Sequence, residues 1–306
     1  MDEFVCNVCQ HKIAGEIVEV KEMMFGTGEA FQYGQCGNCG TIQLLNPPPD
    51  IEYYYPDEYY AFSDLSFSNP HVNWLKTLRI KLFRFFDIDF FKPVYGDWLK
   101  LLDAKVNEKI TDIGCGNGQL LYELYASGFR DLTGFDPFID MDFVINPSLR
   151  LYKRGLDDIK GPFDIIMLHH ALEHMPDLAH AFRKISQLLS VGGRALVRLP
   201  VSDGEAWQIY KQHWVQLDAP RHYFIPSLKA MKLLAEANDL EIYEVVFDSS
   251  EFQFWASELY AKGLPFFDTR DKSLFPKEEL LKYKRKSLQL NKEGKGDQAC
   301  FYLKKK

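Results

Sequence analysis

The chain reads as an α/β protein, a doubly wound and largely parallel sheet preceded by a small cysteine-bearing module. Three observations predict this. Short apolar runs alternate with helical stretches from about residue 95 onward, a glycine-rich turn joins the first of those runs to its helix, and two CxxC pairs fall within the first forty residues. At 306 residues the chain is long for a single hydrophobic core, which suits two unequal parts. Its 46% hydrophobic and 26% charged residues exclude wholesale disorder, collagen-like repeats and coiled coil. No apolar run approaches the roughly 20 residues needed to span a bilayer. The acidic start Met1-Asp2-Glu3-Phe4 lacks the basic region and apolar stretch of a signal peptide, so a cytoplasmic location is expected.

Cys6, Cys9, Cys36 and Cys39 form the two pairs. A CxxC turn points two thiolates at one tetrahedral Zn²⁺, and two such knuckles close the site without an open position for catalysis. Gly37 and Gly40 permit the tight second knuckle, and the β-branched residues between 13 and 20 suit strands joining the knuckles. Residues 1–45 are therefore expected to be a zinc ribbon. Disulfides are disfavoured in a cytosolic chain. Residues 1–60 hold two basic and ten acidic residues, so this surface is expected to repel a phosphate backbone and nucleic acid is not expected as a partner. Residues 46–94 read as a linker and helical cap. Three prolines (47–49) run into a tyrosine cluster, and a helical stretch over 72–86 mixes apolar residues with Lys76, Arg79, Lys81 and Arg84. Core packing with a solvated basic edge is preferred for that helix over a membrane-surface role.

From residue 95 the elements follow in order. Residues 109–113 form a short apolar strand ending in Asp112-Ile113, and Gly114, Cys115, Gly116 and Gly118 make the turn into a helical pattern at 119–125. The GxGxG spacing lacks the ending of the usual NAD fingerprint. Asp112 stands where a pyrophosphate would be unwelcome and a cationic amino-acid head group would fit. A second strand ends at Asp136, eighteen residues after Gly118, where a carboxylate can accept both hydroxyl protons of a ribose, and Pro137 breaks it. An apolar strand over 163–168 leads into His169, His170, Glu173 and His174, and a helix over 178–189 precedes a glycine turn and fifth strand up to Pro200. Residues 240–247 and 298–303 read as the sixth and seventh strands, separated by a long excursion at 250–292 that is expected to shape a pocket or a subunit interface. Cys300 is expected to be buried. Residues 271–306 carry eleven basic and five acidic residues, read as a solvated tail.

The D-I-G-C-G-N-G run, the acid at 136, the FDxI and LEHxxD motifs at 163–177 and the glycine turn near 192 together resemble the class I S-adenosylmethionine-dependent methyltransferases. The resemblance spans residues 95–306 and implies a Rossmann-like seven-stranded sheet that binds S-adenosyl-L-methionine. It implies that Asp112, Gly114, Cys115, Gly116 and Gly118 cradle the methionine part of the cofactor, that Asp136 and Pro137 flank the ribose, that Leu156 and Asp157 meet the adenine, and that His169 lies beside the sulfonium.

The acceptor side is less constrained. A hydroxyl or carbon-acid acceptor must lose a proton, and histidine suits that role near neutral pH, which singles out His170, His174 and His222. The loop over 213–227, with its W, LD, PRH and F pattern, is similar to a branch common among polysaccharide and secondary-metabolite methyltransferases. It also resembles, loosely, the histidine-bearing loop of deoxysugar C-methyltransferases, which carry a four-cysteine zinc module too. Arg221 replaces the acid usual before that histidine and is expected to bind a substrate phosphate or carboxylate. A tyrosine closing over the site in related enzymes points to Tyr59 and Tyr60. The expected activity is methyl transfer to a small acceptor, a sugar or nucleotide-linked sugar. The alternatives are an rRNA or tRNA methyltransferase with a zinc module, and a non-catalytic cofactor-binding scaffold.

Overall fold

The computed structural model describes residues 4–13, 17–56, 65–269 and 272–306. An amino-terminal antiparallel sheet begins with β1 (Ile17–Lys21), β2 (Ala30–Gln35) and β3 (Ile42–Leu44). The large sheet contains β4 (Lys109–Ile113), β5 (Asp131–Phe135), β6 (Phe143–Asn146), β7 (Leu149–Tyr152), β8 (Phe163–His169), β9 (Leu189–Pro200), β11 (Leu240–Phe247) and β12 (Gln298–Lys305). Between β9 and β11 in sequence lies β10 (Phe224–Ile225), which joins the small sheet beside β3. The large sheet is ordered β11-β12-β9-β8-β4-β5-β7-β6. Its centre is parallel, and β12 and β6 run antiparallel to their neighbours.

The seven expected strands are all present, and β6 adds an eighth at the edge, where Phe143 and Val144 are exposed. β8 is central because its apolar run can be buried on both faces, as parallel strands require. The chain moves outward one way from β4 through β5 to β7, then returns through β8 to β9 on the other side. The crevice at the carboxyl ends of β4 and β8 is thus the topological switch point, where open α/β sheets bind ligands.

Helices cover both faces. α1 (Pro70–Phe86), α2 (Gly96–Leu101) and α3 (Gln119–Ala126) pack on one face through Ile80, Phe83, Leu99 and Leu121. α4 (Leu178–Leu188) packs on the other through Phe182 and Ile185, after Asp177 caps it by accepting from the His180 amide. α5 (Glu205–Tyr210) follows β9, and α6 (Leu228–Glu236) adds Met231 and Leu234 to the α4 face. α1 departs from expectation: only Ile80 and Phe83 are buried, while Trp74 is 64% and Phe85 81% exposed, so most of its apolar face stays outside the core. Among the described residues no helix is long and apolar enough to cross a membrane.

The excursion after β11 forms α7 (Phe252–Ala261), α8 (Phe266–Thr269) and α9 (Lys277–Lys292). Trp255, Leu259, Tyr260 and Phe275 from this segment share one core with Val18, Phe31, Tyr33 and Ile42 of the small sheet and with Trp207 and Trp214 after β9. The amides of Phe266 and Phe267 donate to the carbonyls of Met23 and Met24. The excursion therefore seats the ribbon against the large domain. Cys300 is buried in β12, as its strand position predicts.

Candidate active site

A cavity of about 670 Å³ opens at the switch point, a size suited to a small-molecule ligand. Its floor is the turn after β4. Gly114 has φ +76°, and a Cβ there would lie 2.4 Å from Ala171 Cβ. Gly118 has φ +81°, and a Cβ there would meet Leu151 Cδ1 at 2.6 Å. Both positions need glycine for conformation and for space. Gly114, Cys115 and Gly116 line the cavity, whereas Gly118 begins α3 behind it.

Asp112 is only 3% exposed, and its Oδ1 has no hydrogen-bond partner. Burial, reinforced by the charge of Asp136, pushes its carboxyl up to about 8. Asp136 ends its strand and accepts from the Gly116 amide at 2.9 Å through Oδ2 and from the Phe138 amide at 2.8 Å through Oδ1. Its lone pairs are not exhausted by these bonds. Pro137, Leu156 and Asp157 line the cavity, and Asp157 Oδ1 also lies 2.7 Å from His180 Nε2 at the rim. His169 packs on Trp98 at 4.4 Å between ring centroids, and neither ring nitrogen has a partner. Burial, followed by the nearby Arg198 charge, pushes it down to about 3. An orphaned buried carboxylate oxygen, a glycine cradle and a strand-end acid fit a cationic amino-acid head and a ribose.

Opposite lies a histidine cluster. His170 Nε2 accepts from Arg198 Nη1 at 2.7 Å, so its proton is on Nδ1, 3.0 Å from Glu173 Oε1. With both nitrogens committed, His170 positions Glu173 instead of serving as a free base, which corrects its expected catalytic role. His174 Nδ1 lies 2.8 Å from Tyr55 Oη and 3.1 Å from the Arg221 carbonyl. Burial and the neighbouring His222 push His174 down to about 4. The His222 ring meets it edge-on at 4.6 Å, and its Nδ1 donates to the Gln216 carbonyl at 2.7 Å.

Arg221 faces away from the cavity. It is 0% exposed. It donates to Asp218 through Nε and Nη2, to Glu22 Oε1 at 2.7 Å and to the Tyr54 carbonyl at 3.1 Å. Four of its five N–H donors are engaged, and the group is fully buried and absent from the cavity wall, so the expected substrate role is corrected to a buried tie between loop and ribbon. Tyr59 and Tyr60 lie outside the described residues. Among the described residues Tyr55 and Tyr223 reach the cavity, and Tyr55 stacks on Phe138 with centroids 5.1 Å apart. Glu173, at the centre of the cluster, was legible only as one letter of a motif.

In the ribbon, Cys6 and Cys39 Sγ are 3.5 Å apart, as are Cys9 and Cys36 Sγ, and all four converge within 4.8 Å. All are free thiols. A tetrahedral Zn²⁺ with Zn–S bonds of about 2.3 Å fits such a set.

The family model described as "Methyltransferase domain" matches residues 90–245. The chain belongs to this methyltransferase family. It is 27% identical over 135 residues to the tRNA U34 carboxymethyltransferase of Wolinella succinogenes, covering 41% of this chain and 49% of that one. It is 28% identical over 146 residues to the enzyme of the same name from Dichelobacter nodosus, covering 43% and 46%. The chain thus spans about half the length of the curated relatives it matches. A solved S-adenosylmethionine-dependent methyltransferase from Archaeoglobus fulgidus is 14% identical, covers 84% of this chain and 100% of that one, and superposes with a TM-score of 0.46.

These relatives overturn the expectation that excluded nucleic acid as a partner of this methyltransferase. The acidity behind that expectation is partly internal. Glu22 is buried against Arg221 and accepts from the Phe25 and Thr27 amides. Formal charge along a segment does not report what its surface presents to a ligand.

Proposed function

We propose that this S-adenosylmethionine-dependent methyltransferase acts on a nucleoside of an RNA. The observation that carries the methyl-transfer reading is the cavity itself, where the glycine turn and Asp136 lie across from Tyr55 and His174, with the orphaned Asp112 oxygen buried behind the turn and His222 packed behind His174. When bound, the cofactor supplies a methyl carbon already activated by a positively charged sulfur. Asp112 and the glycine turn hold its methionine portion, Asp136 its ribose, and Leu156 and Asp157 its adenine. Orientation then supplies much of the rate. The acceptor meets Tyr55 and His174, which His222 backs, and the Tyr55–Phe138 ring pair suits a base stacked at the mouth. The similarity to tRNA U34 carboxymethyltransferases favours RNA, and Lys282, Lys284 and Arg285 on α9 are exposed cations available to a phosphate backbone.

The acceptor is tested by incubating labelled cofactor with bulk tRNA, rRNA and nucleotide-linked sugars. Label is expected in RNA, with binding that weakens as salt rises. Label confined to the sugars would overturn the RNA reading and favour the sugar acceptor suggested by the loop pattern at 213–227.

Two further outcomes test the cofactor end. Asp136→Ala removes charge-assisted hydrogen bonds and is expected to weaken cofactor binding by about 1.5–3 kcal/mol, read by calorimetry. Unchanged affinity would sink the ribose assignment. Asp112, pushed up to about 8, is protonated in the free protein at neutral pH, while a cationic head group beside it favours the carboxylate. Binding below pH 8 therefore releases a proton. Affinity is expected to rise between pH 6 and 8, by at most about tenfold per pH unit, and to become nearly flat in Asp112→Asn. Calorimetry in buffers of different protonation enthalpy counts the proton, and a flat wild-type profile would refute the assignment.

A further inference from the structure

We infer that Glu173, His174 and His222 form a second metal site, for a divalent transition-metal ion, at the acceptor end of the cavity. Each residue offers one ligand atom, and the three atoms lie within 4.8 Å of one another. A backbone carbonyl can only accept, so the contact between His222 Nδ1 and the Gln216 carbonyl places that ring's proton on Nδ1. His174 Nδ1 faces two oxygens, the Arg221 carbonyl and the Tyr55 hydroxyl, and one Nδ1 proton shared between them leaves Nε2 unprotonated. Both rings therefore keep an Nε2 lone pair for another partner. A histidine whose other nitrogen donates to a backbone carbonyl is the usual arrangement of a metal ligand.

Glu173 supplies the independent observation. It is 0% exposed, its Oε1 accepts from His170, and its Oε2 has no hydrogen-bond partner. A buried carboxylate oxygen without a partner is costly and calls for an explanation. An ion held between this oxygen and the two Nε2 atoms supplies one. The support behind Glu173 is built as metal sites build it: His170 orients the carboxylate, Arg198 orients His170, and Asp248 Oδ2 holds Arg198 Nε at 2.6 Å. On the other side Asp218 Oδ2 lies 3.9 Å from His222 Nε2 and adds negative charge.

Two imidazoles and one carboxylate suit Fe²⁺, Co²⁺, Mn²⁺ or Zn²⁺ better than Ca²⁺, which takes oxygen ligands. Three protein ligands leave positions open, unlike the four-thiolate ribbon. Because His174 lines the cavity, an acceptor oxygen or ring nitrogen would complete the coordination, and the ion would lower the cost of passing the acceptor's proton to solvent water. That last step rests on the methyltransferase reading; ion binding does not.

The full chain, with zinc retained in the ribbon, is titrated with Co²⁺. We expect a second metal equivalent per chain whose visible spectrum lacks thiolate charge-transfer bands. Glu173→Gln and His222→Asn are each expected to weaken it at least tenfold while the ribbon zinc and the thermal transition persist. Should either variant fail to fold, the wild type decides: Co²⁺ is expected to shift the ring-proton resonances of His174 and His222. Uptake of one equivalent only, or a second equivalent that leaves those resonances in place, overturns the site. If the ion binds and no acceptor is methylated, the ion site stands and the methyl-transfer reading fails.

Discussion

Cys39→Ser is expected to release the ribbon zinc and to unfold the small sheet together with the loop that follows β9. Structural zinc contributes on the order of 10–16 kcal/mol in isolated zinc modules, against a whole-domain stability of about 5–15 kcal/mol. The apolar cluster around the thiols cannot replace that, since its buried members are the cysteines Cys6, Cys36 and Cys39 with only Ile13, Leu45 and Ala230. The damage will spread along named bonds. Tyr33 donates from its hydroxyl to the His222 carbonyl at 2.9 Å, Glu22 holds Arg221, and β3 pairs with β10. Trp207, Trp214 and Trp255 lie in the core shared with the ribbon, so tryptophan emission should shift to the red. Asp112, Asp136 and the glycine turn belong to the large sheet, so cofactor affinity should fall by less than about tenfold, or roughly 1.4 kcal/mol. The substitution is a cleaner probe than a chelator, which would also strip an ion from Glu173. Native emission and an unchanged thermal transition in the zinc-free variant would show that zinc does not hold this core.

The sequence shows the large sheet because each cue is local. Central parallel strands such as β4 and β8 are short apolar runs, the turn at 114–118 needs glycine, and the zinc knuckles declare themselves by spacing. The features that escape are those fixed by distant partners. β10 is two residues long and becomes a strand only because β3 lies beside it. The helices after β11 read as a pocket or interface insertion, whereas Trp255 and Tyr260 find their partners more than two hundred residues earlier in the small sheet. The same division holds in the site. Asp112 and Asp136 end their strands, so their place at the switch point follows from period and topology. Tyr55 carries no local mark of its place, because neighbouring tyrosines give no sign in the sequence that this one faces His174. Glu173 was overlooked because nothing local says that a loop glutamate will be fully buried.

Arg221 is the clearest such case and carries the second large expected effect. Arg221→Met should destabilise the protein by about 3–5 kcal/mol, because it strands Asp218 and Glu22 as buried carboxylates without their cation. For a chain of this size that is on the order of 10 °C in the thermal transition. Arg221→Lys should recover little, since an ammonium cannot reproduce the fork that meets Asp218, Glu22 and the Tyr54 carbonyl at once. The informative comparison is the triple variant Arg221→Met, Asp218→Asn, Glu22→Gln. If stranded charge is the main cost, the triple variant will be more stable than Arg221→Met alone, although two acids have been lost as well. If instead the fork positions the loop, the triple variant will stay destabilised and His222 will lose its place, because His222 follows Arg221 directly and its amide shares the Asp218 carbonyl with the Arg221 amide. Denaturant unfolding separates the two, and an Arg221→Met variant within 1 kcal/mol of wild type would refute both.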